Sequence, residues 1–254
     1  MFTMSLNTLK MYDGSDVTCI IPARIASTRF PGKLLKFLGK HTVLEHTYNS
    51  ALLFKGFKDV VIASGDSDIT QYCQAKKLQY IDCFGDFNSG SERVLFAAKT
   101  LGARGRIVNL QADQPFIESS DLSLLVNNSR SGGISTLIKP INNLDSIQGE
   151  QPVFATINSN NHIITFSRQK IPAGHSLFNY NLHIGIYLYS EKVLSDVNIF
   201  HNCLWSKSEK LEQLEFLCRG ISFTGIESTN THYEINTEKD LNYALNFKVS
   251  REIL

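Results

Sequence analysis

The chain lacks any apolar run approaching the ~18 residues that span a bilayer, and its first residues, MFTMSLNTLKMYDGSD, hold no continuous apolar stretch of the signal-peptide kind. These absences predict a cytoplasmic protein without membrane insertion, with residues 1–16 as an N-terminal extension of unassigned role. Charge imbalance is missing as well: 25 Lys and Arg against 24 Asp and Glu leave a net charge of +1. No global field therefore recruits nucleic acid or an anionic membrane, and anion binding has to be local. Cysteine is sparse and unpatterned, with five residues at positions 19, 73, 83, 203 and 218 and no C-x-x-C pair. That pattern argues for reduced core thiols and against a zinc site or a disulfide framework. A Walker A loop is also excluded, because Leu34 follows Gly32-Lys33 and the upstream glycine position is Ser27.

What is present is a 254-residue chain, 43% hydrophobic, sufficient for one sizeable core. Its most informative stretch, residues 18–33, reads TCIIPARIASTRFPGK. The apolar run through Cys19, Ile20, Ile21 and Pro22 predicts a buried strand, which gives way to a small-residue loop carrying Arg24, Arg29 and Lys33. In an open α/β sheet, ligands bind beyond the carboxyl ends of the strands. Small residues such as Ala23 and Ser27 let backbone N–H groups approach an anion there. Two guanidiniums and an ammonium within ten residues suit a polyphosphate better than a single carboxylate.

Further along, helical spacing over residues 42–55 ends at Gly56, a strand follows at 58–63, a helix runs to about Lys77, and a strand occupies 79–83. A helix over 89–101, closed by Gly102, precedes a strand at 106–110. This alternation predicts a parallel sheet with its site at the strand ends. Two motifs fall there. Ser89-Gly90-Ser91-Glu92-Arg93 opens a helix, either as an N-cap with Glu92 in the first turn or as free amides for an anion or base edge, and the two readings are compatible. Gln111-Ala112-Asp113-Gln114-Pro115 follows a strand directly, and reads as a simple turn or as a carboxylate facing phosphates. An acidic group in a cationic phosphate site implies Mg²⁺, which takes one or two protein oxygens and the rest from phosphates and water. Beyond a helix at 118–130 and a strand at 133–139, the polar stretch 141–151 marks a boundary within a single domain, residues 17–250. It separates a nucleotide-binding half, about 17–140, from an acceptor-binding half, about 150–250. Runs at 153–158 and 162–168 predict a hairpin, and residues 207–218 a helix.

These motifs resemble the 3-deoxy-manno-octulosonate (Kdo) cytidylyltransferase family over roughly residues 18–245. Its signature IPAR-x-x-S-[ST]-R-[FL]-P-G-K is met at every position by residues 21–33. Phe166-Ser167-Arg168-x-x-Ile171-Pro172, His183-Ile184-Gly185-Ile186-Tyr187, Glu212-Gln213-Leu214 and Ile235-Asn236-Thr237-x-x-Asp240-Leu241 resemble further family segments. The resemblance implies an α/β, Rossmann-like nucleotidyltransferase fold, with a mainly parallel mixed sheet flanked by helices and a smaller acceptor-binding and dimerisation lobe. It implies transfer of CMP from CTP to the anomeric hydroxyl of a 3-deoxy sugar acid, Kdo or a relative such as 8-amino-Kdo, for lipopolysaccharide or capsule biosynthesis. CTP and the sugar acid would be its partners, Mg²⁺ its cofactor and a homodimer its assembly. Carried over by position, Arg24, Lys33 and Asp113 are catalytic. Ala23, Arg24, Ser27, Arg29 and Lys33, with Ser89, Gly90, Ser91 and Arg93, hold the nucleotide. Gln111, Arg168, His183, Tyr187, Glu212 and Gln213 hold the acceptor, and Asp113 with Asn236 holds the metal.

Departures keep alternatives open. Ala112 replaces a glycine, Ala155 a lysine, Glu215 an arginine, and Ala63-Ser64-Gly65 stands for A-T-D, so one carboxylate is lost there. Asn236 replaces an aspartate and reads equally as a neutral ligand or a helix cap. The alternatives are another acceptor, such as a nonulosonic acid or phosphonate, another nucleotide, or an inactive nucleotide-binding homologue.

Overall fold

A computed structural model describes residues 16–27, 29–130, 132–141, 152–173, 180–195 and 203–249. Residues 1–15 of the extension and 142–151 of the expected boundary lie outside the described residues.

The first half follows the expected alternation. Strands β1 (Val17–Pro22), β4 (Asp59–Ser64), β5 (Tyr80–Asp82) and β6 (Arg106–Leu110) are joined through helices α1 (Val43–Leu53), α2 (Ser67–Lys76) and α3 (Gly90–Thr100). A short hairpin of β2 (Phe37–Leu38) and β3 (His41–Thr42) precedes α1. All ladders between these four strands are parallel, and β1 lies between β4 and β6 with all six of its residues buried. Because side chains alternate across a strand, Cys19 and Ile21 join a core with Leu44 of α1, while Ile20 joins one with Val94 and Ala97 of α3. Each such fully buried aliphatic contributes roughly 1.5–3 kcal/mol relative to exposure. Thr42 caps α1 by accepting from Glu45 N at 3.2 Å, and Ser89 caps α3 by accepting from Glu92 N at 3.1 Å.

The second half adds α4 (Ser119–Asn128), β7 (Ile134–Ile141), β8 (Phe154–Ile157), β9 (His162–Ser167), β10 (Tyr180–Tyr189) and α5 (Glu191–Ser195). It ends with α6 (Leu204–Glu209), α7 (Gln213–Cys218), β11 (Phe223–Glu227) and α8 (Glu238–Val249). Both halves share one nine-stranded sheet, ordered β5-β4-β1-β6-β10-β7-β11-β9-β8. The long strand β10 runs antiparallel to β6 on one side and to β7 on the other, so the parallel sheet turns mixed at that seam. Its register with β7 shifts between Ile184 and Tyr187, a bulge at Gly185 that redirects the strand beside the β6 end. The β8–β9 hairpin forms as expected, with Asn161 left-handed in its turn.

Two expectations are corrected. The helix over 207–218 is broken: Lys210 takes a left-handed conformation (φ 55°) that ends α6 and reverses the chain before α7. That reversal brings the ends of the helical pair together, with the Cα atoms of Cys203 and Cys218 6.5 Å apart and their sulfurs joined in a disulfide. Only Cys19, Cys73 and Cys83 are the buried free thiols expected of all five.

Gly65 sits where β4 meets the cationic loop, and a Cβ there would run into the Cys83 carbonyl oxygen. Gly65→Ala is expected to lower stability by about 1–3 kcal/mol, read as a lower denaturant midpoint with an unchanged m-value; an unaltered midpoint would contradict this packing.

Candidate active site

The loop after β1 is closed before it presents any charge. Ala23 N extends the ladder to Ala63 O at 2.9 Å, Ile25 N donates to the Asp66 carboxylate at 2.7 Å, and Gly32 N returns to Ile25 O at 3.3 Å. Gly32 adopts φ 66°, a left-handed conformation that glycine takes without strain, and starts a single 3₁₀ turn, Lys33–Leu35, whose Leu34 is buried. Lys33 is thereby aimed across the strand ends. The carboxylate that seemed lost at Gly65 is supplied one residue later by Asp66, which grips the loop rather than a ligand.

Lys33 Nζ lies 2.5 Å from Asp113 Oδ2 at the end of β6, and 3.2 Å from Asn236 Oδ1 in the segment before α8. Arg29 Nη2 donates to the same Asn236 oxygen at 3.1 Å. The backbone reinforces this meeting, since Ile235 N donates to Asp113 O at 2.9 Å. Asn236 also has its cap-region neighbours: its own N–H and those of Thr237 point at Asp240, with Asn236 N at 2.9 Å. The cap at this helix start is therefore Asp240 and Thr237, and the Asn236 side-chain oxygen faces the cations.

A cavity of about 260 Å³ opens beside this cluster. Among the described residues its charged lining is Arg24, Arg29, Lys33 and Arg93 against the single carboxylate of Asp113. Arg93 is anchored by Nη1 to Cys83 O at 3.3 Å, over the Phe87 ring at 4.8 Å. Burial lowers its proton affinity first, and the nearby positive charge of Arg24 adds to that. Like charges crowded around one opening leave a strong demand for an anion. Ala23, Ser27, Ser89, Gly90 and Gln111 complete the expected part of the lining, and the buried Ala112 joins it. Gly90 allows α3 to begin against the strand ends, since a Cβ would lie 3.3 Å from Gln111 Oε1 and 3.4 Å from Pro22 Cγ.

Ser91 lies one step behind the cavity, in a buried polar network. Its N–H and hydroxyl donate to Glu212 at 3.1 and 2.9 Å, and its oxygen accepts from Tyr189 at 2.7 Å and Asn109 Nδ2 at 3.3 Å. Asn109 Oδ1 in turn accepts from Gln111 Nε2 at 3.0 Å. Glu212 thus ties the turn between α6 and α7 to the first turn of α3. Gln213 and Tyr187 are buried, the latter stacked 6.2 Å from Tyr189. His183 is half-buried, its ring 4.8 Å from Phe166 and its Nε2 3.1 Å from Thr136 Oγ1. Arg168 sits at the end of β9, where its N–H and Nε donate to Glu209. None of these five lines the cavity, which is formed from residues between 22 and 113 together with Asn236. Of the departures, Ala155 is buried in the β8 ladder, and Glu215 accepts from Cys203 N at 3.3 Å.

Glu234 was not singled out from the sequence. It accepts from Gln114 Nε2 at 3.3 Å and from Asn236 Nδ2 at 3.1 Å. Although its residue surface stays open to solvent, neighbouring atoms desolvate the carboxyl and the Asp113 charge opposes its ionisation, so its pKa is raised. It lies in an irregular segment where no periodicity marks a residue; its place two residues before Asn236 was the available signal.

Residues 18–224 match the cytidylyltransferase family profile. The chain belongs to the cytidylyltransferase family. A 3-deoxy-manno-octulosonate cytidylyltransferase of Flavobacterium johnsoniae is 32% identical over 239 residues, covering 90% of this chain and 96% of the relative. An 8-amino-3,8-dideoxy-manno-octulosonate cytidylyltransferase of Shewanella pealeana is 31% identical over 234 residues, covering 89% and 96%. Among solved structures, a CMP:2-keto-3-deoxy-manno-octonic acid synthetase complexed with CTP superposes with a TM-score of 0.85 at 26% identity, covering 93% of this chain and 99% of that one. This cytidylyltransferase-family chain is a nucleotidyltransferase with the mixed α/β fold of that synthetase. Among the described residues no helix is long and apolar enough to cross a membrane.

Two outcomes follow from this geometry. Glu212→Ala leaves the Ser91 N–H without its acceptor and is expected to weaken CTP binding several-fold while lowering stability by about 1–3 kcal/mol; calorimetric titration and denaturation read the two effects. Burial pushes His183 down to about 3 from an ordinary 6.5. The unfolded chain then binds a proton that the folded chain refuses, so stability falls as pH drops from about 6.5 towards 3. His183→Asn is expected to flatten that decline, and equal slopes in native and variant would contradict it.

Proposed function

We propose that the protein transfers CMP from CTP to the anomeric hydroxyl of a 3-deoxy sugar acid, Kdo or a close relative such as its 8-amino form, with release of pyrophosphate. The observation that carries this reading is the convergence of Arg24, Arg29, Lys33 and the start of α3 on one cavity whose lining holds a single carboxylate, Asp113. The names of the relatives supply the nucleotide and the acceptor class.

In this mechanism the anomeric oxygen attacks the α-phosphorus in line and loses its proton to solvent, its bond to phosphorus forms, and the bond to the bridging oxygen of pyrophosphate breaks. Arg24, Arg29 and Lys33 neutralise charge growing on the α-phosphate and on the leaving group. Ser89 and Gly90 place the first amides of α3 at the wall for the nucleotide, and Arg93 closes that wall. Arg168, His183, Tyr187, Glu212 and Gln213 belong to the acceptor half, with Arg168 offering a fork to the sugar carboxylate.

The donor set fits Mg²⁺. A carboxylate oxygen of Asp113 and an amide oxygen of Asn236 already converge on one cation, the Lys33 ammonium. Mg²⁺ takes one or two protein oxygens and draws its remaining ligands from phosphates and water. Held by Asp113 and Asn236, Mg²⁺ would supply charge neutralisation at the phosphates and a lowered pKa for the attacking hydroxyl. The working assembly we propose is a cytoplasmic homodimer, with residues 176–204 at the interface; 176–179 and 196–202 of that stretch lie outside the described residues.

The test is pyrophosphate release by the purified protein with CTP, Mg²⁺ and either Kdo or 8-amino-Kdo. Release with one acceptor, and not with UTP or GTP in place of CTP, is expected; CTP binding without release for any sugar acid would overturn the acceptor assignment. Lys33→Ala is expected to cut kcat by about 10² or more while CTP still binds, and near-normal turnover would remove Lys33 from the mechanism.

A further inference from the structure

An amide at position 236 differs from the aspartate of the resembling family in two respects: it carries no charge, and its two ends are chemically unlike. Each end has a defined neighbour. Asn236 Oδ1 accepts from Lys33 Nζ at 3.2 Å and Arg29 Nη2 at 3.1 Å, whereas Asn236 Nδ2 donates to Glu234 Oε2 at 3.1 Å. Lysine and arginine only donate and a carboxylate only accepts, so these neighbours permit a single orientation of the amide. The rest of the frame is fixed. Glu234 Oε1 is held by Gln114 Nε2 at 3.3 Å, Asn236 N by Asp240 Oδ2 at 2.9 Å, and Ile235 N by Asp113 O at 2.9 Å. The remaining freedom at 236 is rotation of its side chain, and Glu234 is the group that fixes it from behind.

We propose that Glu234 is a positioning residue for the divalent-cation site: it holds the Asn236 amide with its oxygen towards Asp113 and Lys33, and supplies the negative charge that the amide lacks. Glu234 acts through Asn236. Without it the Nδ2 end has no acceptor, Lys33 and Arg29 are left to hold the orientation from the oxygen side, and the site keeps the Asp113 carboxylate alone. The inference rests on the nucleotidyltransferase reading with Mg²⁺ at Asp113 and Asn236, and it names the residue that sets cation affinity there. It also gives the Asn236 departure a local compensation, two residues away in the same strand-to-helix segment.

The experiment measures Mn²⁺ binding in the presence of CTP and without acceptor, by the electron paramagnetic resonance signal of free Mn²⁺. It uses the full chain as native protein, Glu234→Gln, Asn236→Asp and the double variant, with metal-free CTP affinity as the check that each folds. Glu234→Gln is expected to weaken Mn²⁺ binding by roughly tenfold to a hundredfold, the range for residues that orient metal ligands. Asn236→Asp brings its own charge and two equivalent oxygens, so in that background Glu234→Gln is expected to cost less than about twofold, the non-additivity of residues acting through one another. Unchanged Mn²⁺ affinity in Glu234→Gln would overturn the proposal, as would an equal loss in both backgrounds, and either result leaves the nucleotidyltransferase reading standing. Native protein that binds CTP but no Mn²⁺ would overturn the cation site and the proposal together.

Discussion

Lys33 and Asp113 meet at 2.5 Å with side chains only 14% and 19% exposed. An ion pair so enclosed adds little net stability, because stripping water from two charges offsets most of their attraction. Its consequence is placement. It joins the loop after β1 to the turn after β6, and Asn236 adds the segment before α8 to the same point. Three stretches far apart in sequence thus have one geometry in common, and the cavity forms around it.

The scaffold serves that geometry from behind. β1 is buried on both faces between two cores, so the loop it feeds starts from a fixed position. Asp66 and Gly32 then shape the loop itself. On the other wall, the polar network of buried Asn109, Ser91 and Tyr189 with half-buried Glu212 is fully partnered, a condition under which such networks rigidify rather than destabilise. It links the seam strand β10 and the α6–α7 pair to the helix that begins at the cavity. The second half of the chain therefore bears on the cavity wall through hydrogen bonds at Ser91.

Local signals made the first half legible. Apolar runs at β1, β4 and β6, the helical spacing from residue 42 and the capped start at Ser89 are short-range patterns, and the structure reproduces them. The resemblance of residues 21–33 named the family and the strand-end loop. What could not be read depends on long-range pairing: β10 inserts between β6 and β7, a placement that no feature of its own sequence encodes. The break at Lys210 was hidden because lysine is ordinarily a good helix former, and with it went the Cys203–Cys218 bond. Among site residues, Arg24, Arg29, Lys33, Asp113 and Asn236 come together as the motifs suggested, whereas Arg168, His183, Tyr187, Glu212 and Gln213 lie outside the cavity lining. Asp66 and Glu234 escaped notice because each acts through a neighbour, Ile25 or Asn236, and a supporting partner leaves no spacing pattern of its own.

The measurement that bears most directly on this account is a crystal structure of the protein with CTP and Mn²⁺, using anomalous scattering to locate the metal. The account predicts a manganese peak bonded to the Asp113 carboxylate, with the triphosphate lying along Arg24, Arg29 and Lys33. Phosphates bound away from those three residues, or a manganese peak remote from Asp113, would contradict it.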